Sequence, residues 1–305
     1  MVKTTIIGAS GFIGRHLFKK YRETAPETIG TRFSHGDTEL RPFDICRPDL
    51  KAIVPAGSEV RAVIIASAKP NIGYCEQHRE EARLLNATVP ARLAELSRRR
   101  GARMIHISTD YVFPGTQPPY REHDVCRPVN YYGETKLEGE RGVADADPGA
   151  VILRIGALYG EPGIRMGSPL LEEALRAIWA PPPVELDDRI MRFPLFTGDV
   201  ADVVAFLLGR GDNSGVVHCG APFGVTRYGW AGFVAKCLGV GSDGLVPASR
   251  DNKRAAPRPV NSQLAVDRLR TLGGPLPRGA GEVLPGVLAR CGEWVQFLRD
   301  ESNRK

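Results

Sequence analysis

The sequence lacks the long apolar segments that would place it in or across a membrane. No apolar run in its 305 residues approaches the roughly 20 that a membrane-spanning helix needs. The apolar start of the chain, residues 1–7, is too short for a signal peptide and leads directly into a glycine-rich loop. We therefore expect a cytoplasmic protein with no membrane partner, whose first residues form a strand.

Metal-binding and dithiol motifs are also missing. The six cysteines are scattered and no two of them form a CxxC pair. The six histidines show neither HxxxH nor HExxH spacing. Because zinc sites and redox dithiols depend on such spacing, the sequence predicts free thiols and no metal site.

The charge pattern does not indicate nucleic-acid binding. The net charge is +6 and the pI is about 9.1, but basic and acidic residues are interspersed. The basic run Arg98–Arg100 ends a predicted helix, where cations are favourable. No RNA- or DNA-binding signature accompanies it. We expect no nucleic-acid partner, although the basic surface can attract a small anionic substrate.

Strand and helix patterns alternate through the first half of the chain. Residues 62–66 are apolar throughout, as in a strand that is buried on both faces. Residues 79–100 predict one long helix with a kink at Pro90 and an end at Gly101. This alternation predicts an α/β fold, a Rossmann-type doubly wound parallel sheet. In the less regular second half, residues 264–272 and 283–299 each predict a helix.

The glycine-rich loop between the first strand and the first helix reads G-x-x-G-x-x-G. Small residues at such a turn let the backbone approach a pyrophosphate, and the helix N-terminus offers N–H donors. In this context the pattern predicts a dinucleotide cofactor. The loop residues expected to bind it are Gly8, Ser10, Gly11, Phe12, Ile13 and Gly14.

The sequence predicts two functional parts. We predict an NAD(P)-binding Rossmann domain over residues 1–156. A smaller, mainly substrate-binding α/β portion follows over residues 157–305, and some of its segments return to the first domain. Proline-bearing connections and a change of composition near residue 156 mark this soft boundary.

The end of the second strand favours NADP(H) over NAD(H), although NAD(H) stays possible. An acidic residue there would bind the ribose of NAD, but this strand ends in Arg32 and Ser34 without an acid. A guanidinium can bind the 2′-phosphate of NADP. Asp44 and Ile45, after the third strand, are expected at the adenine.

A hydroxyl pair, a Tyr and a Lys form the candidate reaction centre. Ser108 and Thr109 end an apolar run, and Tyr132 and Lys136 lie four residues apart in a predicted helix. Positions i and i+4 share a helix face, so the ammonium of Lys136 can lie beneath the phenol of Tyr132. A nearby cation lowers the pKa of a phenol. We therefore predict that Tyr132 is a proton donor or acceptor.

These motifs resemble the extended short-chain dehydrogenase/reductases. The most specific of them is the run Ser108 to Phe113 followed by Tyr-x-x-x-Lys. Later matches are residues 192–194 leading to 199–201, and residues 258–262. Within the family the chain is most similar to the dTDP-4-dehydrorhamnose reductase branch, which also includes the regulatory β subunit of methionine adenosyltransferase. The likeness covers nearly the whole chain.

The resemblance implies roles for individual residues. Thr109 polarises the substrate carbonyl, with Ser108 able to share that role, Tyr132 is the acid, and Lys136 activates it and holds the nicotinamide ribose. Further residues implied at the cofactor are Ala66, Ser67, Ala68 and Asn86. Residues implied at the substrate are Glu76, Ser108, Asp110, Arg192 and Arg258. Arg192 and Arg258 either grip a nucleotide diphosphate or are ordinary surface or paired charges.

The activity implied is NADPH-dependent reduction of the 4-keto group of a nucleotide-linked deoxy sugar, by a homodimer. Gly73 replaces an acid that the family usually carries, which leaves the identity of the sugar open. A nucleotide-sugar epimerase or dehydratase is an alternative, but such dehydratases commonly carry Asp-Glu after the hydroxyl. Here Thr109 is followed by Asp110 and Tyr111. A non-catalytic NADP-binding regulatory subunit also stays open.

Tyr132→Phe is expected to abolish the reduction of a keto substrate, because phenylalanine has no proton to donate to the developing alkoxide. NADPH binding should change little, since the ring is retained. NADPH consumption measures the first effect and a fluorescence titration of NADPH binding the second. Wild-type turnover in this variant would contradict the role of Tyr132.

Overall fold

The computed structural model describes residues 2–33, 38–54, 59–163, 168–248 and 256–302. Its strands are β1 (Val2–Ile7), β2 (Ile29–Arg32), β3 (Arg41–Pro42), β4 (Glu59–Ile65), β5 (Arg103–Thr109), β6 (Val151–Ile155), β7 (Leu158–Tyr159), β8 (Val184–Asp187), β9 (Leu195–Phe196), β10 (Gly215–Cys219) and β11 (Leu245–Ala248). Its α-helices are α1 (Phe12–Thr24), α2 (Leu50–Ile53), α3 (Ile72–Gln77), α4 (Arg79–Arg83), α5 (Val89–Arg99), α6 (Tyr131–Ala146), α7 (Pro169–Trp179), α8 (Thr197–Gly209), α9 (Arg227–Leu238), α10 (Asp267–Thr271), α11 (Ala280–Arg290) and α12 (Gly292–Ser302). None of these helices has the length and apolar character needed to cross a bilayer.

The central sheet has seven parallel strands in the order β10-β6-β5-β4-β1-β2-β3. The chain leaves β1 toward β2 and β3 on one side, and then returns to build β4, β5, β6 and β10 on the other. The order therefore reverses between β1 and β4, which is where ligands bind in sheets of this kind. This architecture confirms the predicted fold class. Two pairs of short strands, β11 with β8 and β7 with β9, lie outside the central sheet.

Helices cover both faces of the central sheet, which explains the continuous apolar run in β4. Successive side chains of a strand point to opposite faces. Ile64 packs in one apolar cluster with Leu17 of α1 and residues of α8. Its neighbour Ile65 packs in the other cluster with Leu93 of α5 and residues of α6. Both isoleucines are fully buried.

The predicted long helix is continuous, but its irregularity precedes Pro90 instead of coinciding with it. A π-helical turn over Leu84–Thr88 joins α4 to α5. Proline lacks an N–H and its ring would collide with the carbonyl four residues earlier, that of Asn86. A widened turn is a common way to accommodate such a break. The helix ends at Arg99, and Gly101 follows two residues later with a left-handed φ of 64°.

Two helix predictions for the C-terminal portion were wrong in their extent. The predicted single helix 283–299 is two helices, because Cys291 leaves helical geometry with a φ of −106° and a ψ of 17° between α11 and α12. The predicted helix 264–272 begins only at Asp267. The reason is that Ala265 donates a backbone hydrogen bond to the Tyr120 carbonyl oxygen, and this pairing holds the preceding residues extended.

Gly139→Ala is expected to destabilise the fold, because a Cβ at that position would lie 2.2 Å from the carbonyl oxygen of Asn86. Overpacking of this kind costs about 1–3 kcal/mol. Gly232→Ala is the matched control, since its Cβ would meet nothing within 4 Å on α9. That change should raise the free energy of unfolding by about 1 kcal/mol through helix propensity. Urea unfolding measures whether the free energy of unfolding falls in Gly139→Ala and rises in Gly232→Ala. Equal changes in the two variants would contradict the close contact at Gly139.

Candidate active site

The glycine-rich loop is folded so tightly that its glycines cannot be replaced without steric conflict. Gly8 has a φ of 85°, and Gly11 donates a backbone hydrogen bond to the Gly8 carbonyl oxygen at 3.0 Å. A Cβ on Gly14 would lie 2.0 Å from that same oxygen, and one on Gly8 would lie 2.8 Å from the Cβ of Ser67. The loop therefore lies directly against the end of β4 and leads into the N-terminus of α1.

A cavity of about 370 Å³ opens beside this loop, at the carboxyl ends of β1, β2 and β4. Of the residues predicted at the cofactor, those that line it are Gly8, Ser10, Gly11, Arg32, Ile45, Ala66, Ser67 and Ala68. Lining residues that sequence reasoning missed include Phe33, Phe43, Cys46, Lys69, Glu81 and Leu85. The predicted residues Phe12, Ile13 and Gly14 lie in the first turn of α1, and Ser34 lies outside the described residues.

The cavity has the features that a dinucleotide requires. Phe43, Ile45 and Leu85 provide apolar surface for a flat base. The hydroxyl of Ser67 is buried and has no hydrogen-bond partner among the described residues, although it lies against the glycine-rich loop. A buried polar group without a partner is costly, and a bound ribose or phosphate would satisfy it. Arg32 adds a cation to the same wall.

Two of the predicted cofactor residues have structural partners instead of facing the cavity. Asp44 is exposed, and its carboxylate accepts a hydrogen bond from the backbone of Cys46 at 3.0 Å, so it shapes its own turn. Asp44 is not among the residues that line the cavity, and its contact with the adenine stays a prediction. Asn86 is fully buried. Its amide bonds both backbone groups of Lys69 and the hydroxyl of Thr135, which ties the segment after β4 to α6.

The end of β5 and the start of α6 bring Thr109 and Tyr132 together. Asn130 caps α6 by accepting a hydrogen bond from the Gly133 backbone at 2.9 Å. A Cβ on Gly133 would lie 2.3 Å from the carbonyl oxygen of Tyr111, so the first turn of the helix packs directly on the segment after β5. The Thr109 hydroxyl lies close enough to the phenol of Tyr132 to oppose the rise of its pKa. This arrangement can present two hydroxyl groups to one carbonyl oxygen.

The expected effect of Lys136 on Tyr132 was wrong for this structure. The Lys136 ammonium donates a hydrogen bond to the Ile107 carbonyl oxygen at 2.7 Å and lies 3.1 Å from Nε2 of His106. Burial raises the pKa of the Tyr132 phenol, and the same effect lowers the pKa of Lys136 to about 8. Helix spacing places the two residues on one face, but the partners of the ammonium come from β5, and desolvation dominates at the phenol.

Asp110 and Arg192 lie beside the catalytic candidates. Asp110 is buried and accepts hydrogen bonds from Thr109 and from Ser262. Burial raises the pKa of Asp110, opposed by the Ser262 hydroxyl and the Arg192 charge. The guanidinium of Arg192 lies 5.6 Å from the ring centre of Tyr111, and its buried Nη1 has no hydrogen-bond partner among the described residues. Sequence reasoning gave Ser262 no role, although it belongs to the matching run 258–262.

Arg258 belongs to the segment that lies over the start of α6. It is partly buried. The neighbouring Pro257 carbonyl oxygen accepts a hydrogen bond from Asn130 at 2.9 Å, which connects this segment to the cap of α6. The structure therefore brings Arg258 to the same end of the helix as Tyr132.

Two predicted substrate residues have other partners. Glu76 accepts a hydrogen bond from the Tyr131 backbone at 2.8 Å and pairs with Arg79, so it caps the start of α6. Ser108 donates to the Glu140 carboxylate on the inner side of α6. Because neighbouring residues of a strand face opposite ways, Ser108 cannot point with Thr109 toward a substrate. The shared role predicted for Ser108 is corrected accordingly.

A buried polar layer lies between α6 and the sheet, and sequence reasoning did not find it. Its members are His106, Ser108, Glu140, Arg154 and His218. Glu140 and Arg154 form an ion pair at 2.7 Å, and His218 lies 3.3 Å from the Arg154 guanidinium. Burial and the adjacent cations lower the pKa of both histidines, that of His218 to about 3. No cluster of three metal-ligating side chains occurs in the part of the chain that the structure describes.

Comparison with known proteins identifies related sequences along nearly the whole chain. The family described as RmlD substrate binding domain matches residues 2–291. Methionine adenosyltransferase 2 subunit beta of Bos taurus is 31% identical over 275 residues, which cover 89% of this chain and 82% of that protein. A probable dTDP-4,6-dihydroxy-2-methyloxan-3-one 4-ketoreductase of Streptomyces antibioticus is 32% identical over 291 residues, covering 93% and 95%.

Solved structures show the same fold. A dTDP-4-dehydrorhamnose reductase from Clostridium acetobutylicum superimposes with a TM-score of 0.80 at 27% identity, over 94% of this chain and 98% of that chain. A dTDP-4-dehydrorhamnose reductase from Bacillus anthracis, in complex with NADP, gives a TM-score of 0.81 at 22% identity, over 94% and 99%.

The buried histidines predict a loss of stability in mild acid. Their pKa values in the folded chain lie below the unfolded value of about 6.5, so the unfolded chain binds more protons and stability falls as the pH drops below that value. For each histidine, the free energy of unfolding falls by up to about 1.4 kcal/mol for each pH unit below that value. His218→Gln should remove one such slope between about pH 6.5 and pH 5, measured by urea unfolding. Exposed His123→Gln is the control and should leave the slope unchanged. An unaltered slope in His218→Gln would contradict the interpretation.

Proposed function

The chain belongs to the RmlD substrate binding domain family, and from this premise we propose that it is an NADPH-dependent ketoreductase. The substrate class proposed is a nucleotide-linked deoxy sugar with a 4-keto group. The observation that carries the proposal is that Thr109 and Tyr132 lie together at the carboxyl edge of the sheet, the edge at which the cofactor cavity opens, with Lys136 one turn further along α6. The Streptomyces antibioticus relative, a probable 4-ketoreductase of a dTDP-linked sugar, supports it.

Different residues around the cavity would bind different parts of NADPH. The glycine-rich loop and the N-terminus of α1 would hold the pyrophosphate, and Ser67 would bond a ribose or phosphate oxygen. Arg32 would bind the 2′-phosphate, which supports NADPH over NADH as the preferred cofactor. When bound, NADPH supplies the hydride that reduces the ketone carbon.

The side chains of the protein supply the proton and stabilise the oxygen of the substrate. The raised pKa of Tyr132 keeps its phenol protonated, which is the form that a reductase needs before the reaction. The phenol would give its proton to the carbonyl oxygen as the carbon gains hydride, and Thr109 would donate to the same oxygen by turning its one hydroxyl proton away from Asp110. Positioned proton transfer contributes about 10²- to 10⁴-fold in rate. Solvent then reprotonates the phenolate.

Arg192 is proposed to anchor the diphosphate of the substrate, with Arg258 assisting. A guanidinium binds phosphate oxygens through a planar fork. The buried Nη1 of Arg192 has no hydrogen-bond partner among the described residues, and the side chain contacts Tyr111, which packs on the Tyr132 ring at 5.7 Å. The proposal further includes a cytoplasmic homodimer, which the family resemblance supports.

A regulatory subunit is the second candidate, because a specific observation favours it. The bovine methionine adenosyltransferase 2 subunit beta matches 89% of the chain, with an identity close to that of the Streptomyces ketoreductase. Such a subunit would use the same cofactor cavity and bind a partner enzyme. The two functions differ in whether a ketone is reduced, so one assay separates them.

The test is NADPH oxidation, followed by absorbance, with a panel of dTDP- and GDP-linked 4-keto-6-deoxy sugars. A reductase oxidises NADPH with at least one sugar, and Tyr132→Phe gives no oxidation under the same conditions. In a parallel experiment, the chain is mixed with a methionine adenosyltransferase catalytic subunit and examined by size-exclusion chromatography. Co-elution without NADPH oxidation would overturn the reductase in favour of the regulatory subunit.

A further inference from the structure

Within the described part of the chain, the His106 ring makes one polar contact, and that contact is with the candidate catalytic lysine. The ring is fully buried on β5, and its Nε2 lies 3.1 Å from the ammonium of Lys136. The other ring nitrogen, Nδ1, has no hydrogen-bond partner among the described residues. Lys136 is itself 1% exposed, so this pair forms inside the protein and not at its surface.

A histidine is energetically unfavourable at this position. Burying a polar ring beside a cation with one nitrogen left unpaired costs free energy that an apolar side chain of similar size would not. The neighbouring core positions on β5 are apolar, such as Met104 and Ile105. A costly group whose one side-chain hydrogen bond among the described residues is to a functional side chain points to a role exerted through that side chain.

We propose that His106 is a positioning residue for Lys136, with its imidazole accepting a hydrogen bond from the ammonium. The role given to Lys136 rests on the proposed function, but the contact itself does not. A lysine ammonium has three N–H donors. Ile107 and His106 take two of them, which leaves one for the cleft that holds Tyr132 and the cofactor. The ring thus fixes where the remaining donor points.

The imidazole suits this role because it can accept a hydrogen bond from the ammonium while staying uncharged. For Nε2 to accept, the ring proton must lie on Nδ1 and the ring must be neutral, in agreement with the lowered pKa of His106. The negative charge comes from Glu140, one helical turn beyond Lys136, which raises the pKa of the ammonium against the effect of burial. Titratable and charged groups on α6 and on elements packed against it include Tyr132 and Glu140 on α6, His106 on β5, Cys75 and Glu76 on α3, and Asp110 and Tyr111 after β5, and Arg154 of β6 pairs with Glu140.

The experiment compares the titration of Lys136 in wild type and in His106→Leu, using lysine labelled with 13C at Cε and Lys136→Met to assign the signal. Loss of the acceptor destabilises the ammonium, so its titration should move about one unit lower in pH. The pH at which NADPH binding weakens, followed by NADPH fluorescence, should move in the same direction. Neither readout requires turnover, so both remain informative if the chain reduces no sugar.

Three further variants separate positioning from packing. His106→Phe keeps a ring but has no nitrogen atoms. It should behave like His106→Leu, which shows that the effect does not come from the loss of ring packing in the leucine variant. His106→Gln can still present an acceptor and should restore at least half of the shift. His218→Gln removes the other buried histidine of the layer, which bonds Arg154 and not Lys136, and should shift nothing. A Lys136 titration and NADPH binding profile unchanged in both His106→Leu and His106→Phe would overturn the proposal.

Discussion

The close approach of α6 to the sheet is the constraint on which the candidate site depends. Two glycines make it possible, because Gly133 lies against the carbonyl oxygen of Tyr111 and Gly139 against that of Asn86. Neither place has room for a Cβ. This approach sets the depth of the inner face of α6, where Tyr132, Lys136 and Glu140 follow one another at intervals of a helical turn. A phenol, an ammonium and a carboxylate therefore lie in line on one face of one helix.

Burial on this stripe changes what each group can do. Burial removes solvent from the charged forms of both groups. The pKa of the Tyr132 phenol is therefore raised, so it stays protonated, and the pKa of the Lys136 ammonium is lowered. Glu140 offsets part of this loss at Lys136, while its own charge is balanced by Arg154. A buried ion pair of this kind adds little net stability. Its value here lies in fixing the electrostatic environment of the lysine.

The sequence predicted the elements that depend on local rules. The parallel sheet followed from alternating strand and helix patterns, and the tight turn at Gly8 to Gly14 followed from glycine spacing. Predictions that depended on side-chain direction were less successful. Ser108 faces Glu140, Glu76 caps α6, and Lys136 bonds β5 rather than Tyr132. Periodicity fixes the face on which a residue lies, but not the partner that the neighbouring element presents to it.

The amino-acid sequence by itself determined the fold class, the glycine-rich loop, and the presence of a hydroxyl, a phenol and an amine at recognisable spacing. These features are local, because they depend on residues only a few positions apart. The tertiary structure decided the charge state of Tyr132 and Lys136, the buried layer of His106, Glu140 and Arg154, and the position of Arg192. Those properties arise between strands and helices that are distant in the chain, where desolvation and packing act together.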